Sequence, residues 1–156
     1  MAIQFDPSRK RAAHGTQSTL HLQVPSDARY SRTVREAIVG FAHLHRVTDD
    51  DLESLLFAVG EALANAIEHA RSQDDIEVLC EIDREQIVAT VIDRGAGYER
   101  VPEGLVPLPD GLCERGRGVA IMQRCTDFFA VLPLDRGTAV RLGRFRHRRR
   151  RPSTSG

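Results

Sequence analysis

Glu61, Asn65 and His69 recur at every fourth residue, with Glu68 beside them. On a helix each residue advances about 100° around the axis, so these side chains would share one face. Carboxylates, amides and imidazoles are the groups with which proteins move protons and hold cations. The small residues Ala58, Ala62 and Ala64 accompany them and would let another group approach the backbone. The bland alternative is a solvated helix face, so the rest of the chain has to decide. Further features follow in order: Asp93-x-Gly95-x-Gly97, Gly116-x-Gly118 and Gly137-Thr138. Glycines ahead of a helix bare N–H groups that favour anions, although they also punctuate loops of every kind. Each feature alone is weak; their joint occurrence in this order is what carries weight.

The elements that must position these residues can be read from periodicity. Leu20, Leu22 and Val24 alternate with polar residues, which predicts a half-buried strand ended by Pro25. Val34, Ala37, Ile38, Phe41 and Leu44 recur at helical spacing and predict a first helix from about Asp27 to His45. His43 and His45 then suit the negative end of that helix. Thr48 followed by Asp49, Asp50 and Asp51 is a helix start, with a cap and an acid three residues on. The second helix runs from there to about Arg71, with Leu52, Leu55, Leu56, Val59, Leu63, Ala66 and Ile67 on its apolar face. Ile76–Ile82 and Gln86–Ile92 read as a hairpin turned at Asp83-Arg84-Glu85. The stretch that follows Asp93-Arg-Gly-Ala-Gly-Tyr98, to about Arg115, has no period and reads as a lid or binding loop, or as a disordered segment. A short helix through Val119, Ile121, Met122 and Cys125 follows, then strands over Phe128–Leu132 and Gly137–Phe145. Strand pairs with helices between them predict an α+β fold: a two-layer sandwich of a mixed, mostly antiparallel sheet with helices on one face.

At 156 residues the chain has the length of one domain, enough to bury roughly 70% of its unfolded surface. Residues 1–17 read as a flexible arm, 18–145 as the domain and 146–156 as a basic, disordered tail containing Arg148 to Arg151. Net charge is zero because that tail balances an acidic body. Without aromatic interleaving, the tail gives little reason to expect direct nucleic-acid recognition. Cys80, Cys113 and Cys125 have no paired spacing, which speaks against a disulfide framework or a zinc site. With no apolar run near 18 residues and no signal segment, a cytoplasmic protein without membrane contact is expected.

The ordered features resemble the GHKL ATP-binding superfamily, with its histidine-kinase-like ATPase (Bergerat) fold. Glu61-Ala-x-x-Asn65-Ala-x-x-His69-Ala is similar to the family's N box. Asp93-Arg-Gly-Ala-Gly97 and Gly116-Arg-Gly-Val-Ala-Ile-Met122 resemble its glycine boxes, and Gly137-Thr138 its last strand entry. Within the superfamily the size and phrasing resemble the serine/threonine kinases of bacterial partner-switching systems, which are anti-sigma factors. The resemblance implies that Mg-ATP is bound, with Asn65 as the metal ligand and Glu61 as catalytic base. It implies that Asp93, Gly95, Gly97 and Thr138 hold the nucleoside, and that Arg115, Gly116, Arg117, Gly118 and Val119 hold the phosphates. His69 would end the polar stripe without a chemical role. The implied partners are a STAS-domain anti-anti-sigma protein, an RNA polymerase sigma factor and a second copy of the chain. A nucleotide-gated binding module with little or no phosphotransfer is the alternative. The short lid and the lack of a dimerising helical pair with a phosphoacceptor His depart from histidine kinases.

Overall fold

The computed structural model describes residues 2–6, 11–12, 15–70, 74–95 and 117–147. Strands β1 (Ala2–Asp6), β2 (Arg11–Ala12), β3 (Gly15–Thr16) and β4 (Ser18–Val24) come first. A 3-10 turn (Ala28–Tyr30) leads into helix α1 (Ser31–Leu44), followed by α2 (Asp49–Ala70). The hairpin β5 (Ile76–Ile82) and β6 (Gln86–Asp93), helix α3 (Arg117–Cys125) and strands β7 (Phe128–Pro133) and β8 (Thr138–Phe145) complete the order. The main sheet has six strands in the order β1-β4-β5-β6-β8-β7, and β2 and β3 form a separate small ladder.

Every ladder in the main sheet is antiparallel, so the sheet expected to be mixed and mostly antiparallel is antiparallel throughout the described residues. Each neighbour on the sheet runs back alongside the last, so no parallel crossover is needed. The expected loose arm is also corrected over Ala2–Asp6, which pairs with β4 and sets Ile3 opposite Leu22 and Phe5 opposite Leu20. The period-two pattern Ile3-Gln4-Phe5-Asp6 was the available signal, and the open edge of β4 supplies the unpaired N–H and C=O groups that it satisfies. The expected basic tail begins later than position 146. Arg146 donates to the carbonyls of Asp83 and His45, and the His147 N–H donates to Asp51 at 2.9 Å. Positions 148–156 lie outside the described residues.

Alternation puts one sheet face against the helices. Leu20, Leu22 and Val24 of β4, Ile76, Val78, Cys80 and Ile82 of β5, and Ile87, Ala89 and Val91 of β6 are all buried. They meet Val34, Ile38 and Phe41 of α1 and Leu52, Leu55, Val59 and Leu63 of α2 in a single core. Apolar burial of this kind, at about 25 cal/mol per Å², is the main force holding the layers together. Burial pushes the Cys80 thiol up to about 12, so it packs as a small hydrophobe. On α2, Ala58 and Ala62 are as buried as the leucines, so the packed face is broader than expected. The cause is a third layer of contact, α3 against α2, in addition to the sheet and α1.

The sheet's ends are built by polar devices. Thr48 accepts from the Asp51 N–H at 3.4 Å and donates its hydroxyl to the Asp51 carboxylate at 2.8 Å, the cap expected for α2. Asp27 caps the 3-10 turn by accepting from the Arg29 N–H at 2.9 Å. Asp83 closes the β5–β6 turn by accepting from the N–H groups of Glu85 and Gln86.

Candidate functional site

The helix α2 leads through residues 71–75 into β5, so its C-terminal half lies at the end of the sandwich where β5 begins. Glu77 of β5 pairs with Ile92, and Asp93 pairs with Thr138. The end of β6 and the start of β8 therefore lie at that same end. Asp93 continues the alternation of Ile87, Ala89 and Val91, and Thr138 that of Val140 and Leu142. Both thus stand on the helix-facing side, opposite each other, at the mouth of the layer between sheet and helices.

Glu61 and Asn65 are half-buried on α2. The first turn of α3 lies directly on them. A Cβ at Gly118 would stand 3.2 Å from Glu61 Oε2 and 3.3 Å from Asn65 Nδ2. The glycine is what lets the main chain of α3 come so close. The carboxylate and amide of α2 are thereby brought to a helix N-terminus, where the dipole favours anions. Arg117, the first residue of α3, adds a cation at that end. Val119 packs against the core and holds the helix down.

The second group is built on β6 and β8. Asp93 accepts from the Gly95 N–H at 2.9 Å, which folds the chain sharply as it leaves the strand. Gly137 has φ of 90°, and a Cβ there would fall 1.9 Å from the Asp93 carbonyl oxygen. Only glycine fits this approach. Beyond it, Thr138 is 1% exposed. Its Oγ1 is buried and has no hydrogen-bond partner among the described residues. A buried hydroxyl without a partner costs about 1–3 kcal/mol, and a polar group entering the layer beside Asp93 would recover it. This end of the sheet therefore offers a carboxylate acceptor, a buried hydroxyl and backbone left uncovered by glycine.

The structure brings together Glu61, Asn65, Arg117, Gly118 and Val119 on one side, and Asp93, Gly95 and Thr138 on the other. Gly97, Arg115 and Gly116 lie outside the described residues, as does the side chain of His69. The expected metal ligand is the single amide of Asn65, and among the described residues no group of three His, Cys, Asp or Glu side chains could hold a metal. An oxygen-poor protein site of that kind suits magnesium that keeps waters and phosphate oxygens as its other ligands. Sequence reasoning missed Arg136 and Asp74, which tie down the segment after Asp93. Their separation of 62 residues left no local signal. A cavity of about 790 Å³ near Arg46, Thr48, Arg84 and Arg146 lies around the N-terminal end of α2 and carries none of these features.

With that geometry in place, comparison with known proteins is decisive. Residues 24–144 match the family described as the histidine kinase-like ATPase domain. The chain belongs to this family. Among curated relatives, it is 28% identical over 151 residues to the serine-protein kinase RsbW of Bacillus licheniformis, covering 90% of this chain and 91% of that protein. It is 25% identical over 123 residues to the anti-sigma F factor of Clostridium beijerinckii, covering 74% of this chain and 85% of that protein. The fold is similar to that of a structure holding the RsbU and RsbW domains of a Mycobacterium tuberculosis protein, with a TM-score of 0.65 at 20% identity. That match covers 87% of this chain and 35% of the other, so this histidine kinase-like ATPase domain spans about a third of the longer protein. No described helix is long and apolar enough to cross a membrane.

Proposed function

We propose that this chain is a Mg-ATP-dependent serine/threonine protein kinase and anti-sigma factor that phosphorylates a STAS-domain anti-anti-sigma protein. It acts in the cytoplasm as a homodimer, and it sequesters a sigma factor while its antagonist is phosphorylated. The observation that carries this reading is the seating of the α3 first turn on Glu61 and Asn65. A pure nucleotide clamp needs the glycine and the amide, but has no use for a carboxylate held beside the phosphate end.

The protein's own residues divide the work. Asp93 accepts the amino group of adenine, and Thr138 supplies a hydroxyl beneath the base. Gly118 and the N-terminal N–H groups of α3 receive phosphate oxygens, with Arg117 adding charge. Asn65 would hold magnesium, which when bound neutralises charge on the phosphates. Glu61 accepts the proton of the substrate serine as its Oγ bonds to the γ-phosphorus. The bond from that phosphorus to the β,γ-bridging oxygen breaks, and ADP leaves. The electrons and the proton are then accounted for, with no further reactant.

The test is transfer of labelled γ-phosphate to a STAS-domain protein by the wild type and by Glu61→Gln. The variant is expected to lose about 10²–10⁴-fold in transfer rate while keeping ATP affinity within about twofold. If the wild type binds the STAS protein yet transfers no phosphate to any serine, a nucleotide-gated binding module is the correct reading and the kinase assignment is wrong.

A further inference from the structure

Arg136 lies in the turn between β7 and β8, immediately before Gly137. Its guanidinium reaches two other parts of the chain. Nε donates to the Arg94 carbonyl at 3.1 Å, and Nη2 donates to Asp74 Oδ2 at 2.5 Å. Arg94 stands between Asp93 and Gly95, so its carbonyl belongs to the segment that carries the base-accepting carboxylate. Asp74 belongs to the link from α2 into β5. The Arg94 side chain is drawn away from the site, donating to Glu77 on β5 at 2.7 Å. That hydrogen bond, against the cost of burial, holds the Glu77 carboxyl below its ordinary range.

These contacts tie together the exit of α2, the end of β6 and the entry of β8. Their effect on Asp93 follows from its geometry. One of its oxygens, Oδ1, already accepts from the Gly95 N–H. The direction of the other therefore follows from the backbone of residues 93–95. Arg136 grips that backbone through the Arg94 carbonyl, while the neighbouring Gly137, lacking a Cβ, lets the start of β8 lie close along the Asp93 carbonyl. A guanidinium is a rigid planar fork that can serve both partners at once, whereas an ammonium is a single point.

We propose that Arg136, braced by Asp74, is a positioning residue that aims the Asp93 carboxylate and thereby sets the preference for adenine over guanine. It touches no nucleotide atom itself. The inference rests on the nucleotide reading given above.

The experiment is an equilibrium titration of the full chain with fluorescent ATP and GTP analogues. In Arg136→Ala the ATP Kd rises about threefold to tenfold and the GTP Kd hardly moves, so the ATP-to-GTP preference falls by the same factor. Arg136→Lys recovers part of the preference. Asp74→Asn shifts it in the same direction, and combining it with Arg136→Ala adds little, because the two act as one unit. Arg136 is exposed and Asp74 only half-buried, so the melting temperature should stay within about 2 °C. Should Arg136→Ala melt early, the ratio in Asp74→Asn decides the matter. An unchanged preference in a variant whose parent binds ATP overturns the role of Arg136 and leaves the nucleotide reading intact. A wild type that binds no ATP overturns both.

Discussion

Gly118 and Gly137 occupy their positions for different reasons, and substitution separates them. At Gly137 the backbone has positive φ and a Cβ would strike the Asp93 carbonyl group, which cannot yield. Gly137→Ala is therefore expected to cost about 2 kcal/mol or more, seen as a melting temperature lower by roughly 5–10 °C. Gly118 stands in the first turn of a helix, where alanine is still favoured over glycine, by up to about 0.8–1 kcal/mol. Its added Cβ would meet only the ends of Glu61 and Asn65, which can move aside at the expense of their placement. Gly118→Ala should thus leave stability equal or higher while weakening ATP binding and phosphotransfer by about tenfold, measurable by melting and titration on the same sample. A variant that loses stability and keeps full activity would contradict this view of the α3 contact. At this scale the sequence singled out Glu61, Asn65 and Asp93, because their placement on one helix face and at one strand end depends on local spacing. It was silent on the orphaned hydroxyl of Thr138 and on Arg136, because both depend on which strands meet.

Helix α2 joins two chemically distinct ends. Its C-terminal half carries the site, and its N-terminal turn carries Asp51, which is fully buried. Burial alone would raise the Asp51 carboxyl, but hydrogen bonds from the backbone and ring of His147 and from Thr48 outweigh it and hold the group below its ordinary 3.8. A carboxylate lowered in the folded state stabilises at pH above about 3.8, and that stabilisation fades as pH falls through the lower folded value. His45, at the end of α1, is shifted the other way for a base: burial, and then the Arg146 charge, lower it from 6.5. The unfolded chain then takes up a proton more readily, so stability drops as pH falls below about 6.5. Denaturation midpoints should therefore decline in two stages on acidification. His45→Gln should flatten the first stage. Asp51→Asn should flatten the second, while costing about 1–3 kcal/mol at neutral pH through its lost hydrogen bonds. Coinciding curves for variants and wild type would remove this account of the clamp that Thr48 and His147 form on Asp51. The start of α2 was legible from Thr48 and its acids, whereas the clamp was not, since Asp51 and His147 are 96 residues apart.

At the scale of the molecule, the described residues form a six-stranded antiparallel sheet with helices on one face, and α2 contacts β6, β8 and α3. Most elements were legible because their apolar residues keep periods of two or nearly four, and burial enforces those periods. What escaped was set by pairing across long distances: the purely antiparallel order, the edge strand Ala2–Asp6 and the anchoring of Arg146 and His147. The two ends of α2 also separate two kinds of loss. Changes at the Asp51 end should lower stability and spare nucleotide affinity, and side-chain changes at the Asp93 end, the backbone-constrained Gly137 apart, should do the reverse. The account depends most on Asp93 as the acceptor of the adenine amino group. Calorimetric titration of Mg-ATP into the wild type and Asp93→Asn tests it directly. Saturable binding by the wild type is expected, with an affinity loss of about tenfold or more in the variant at a nearly unchanged melting temperature. Equal ATP affinity in the two proteins, or no binding by the wild type, would contradict it.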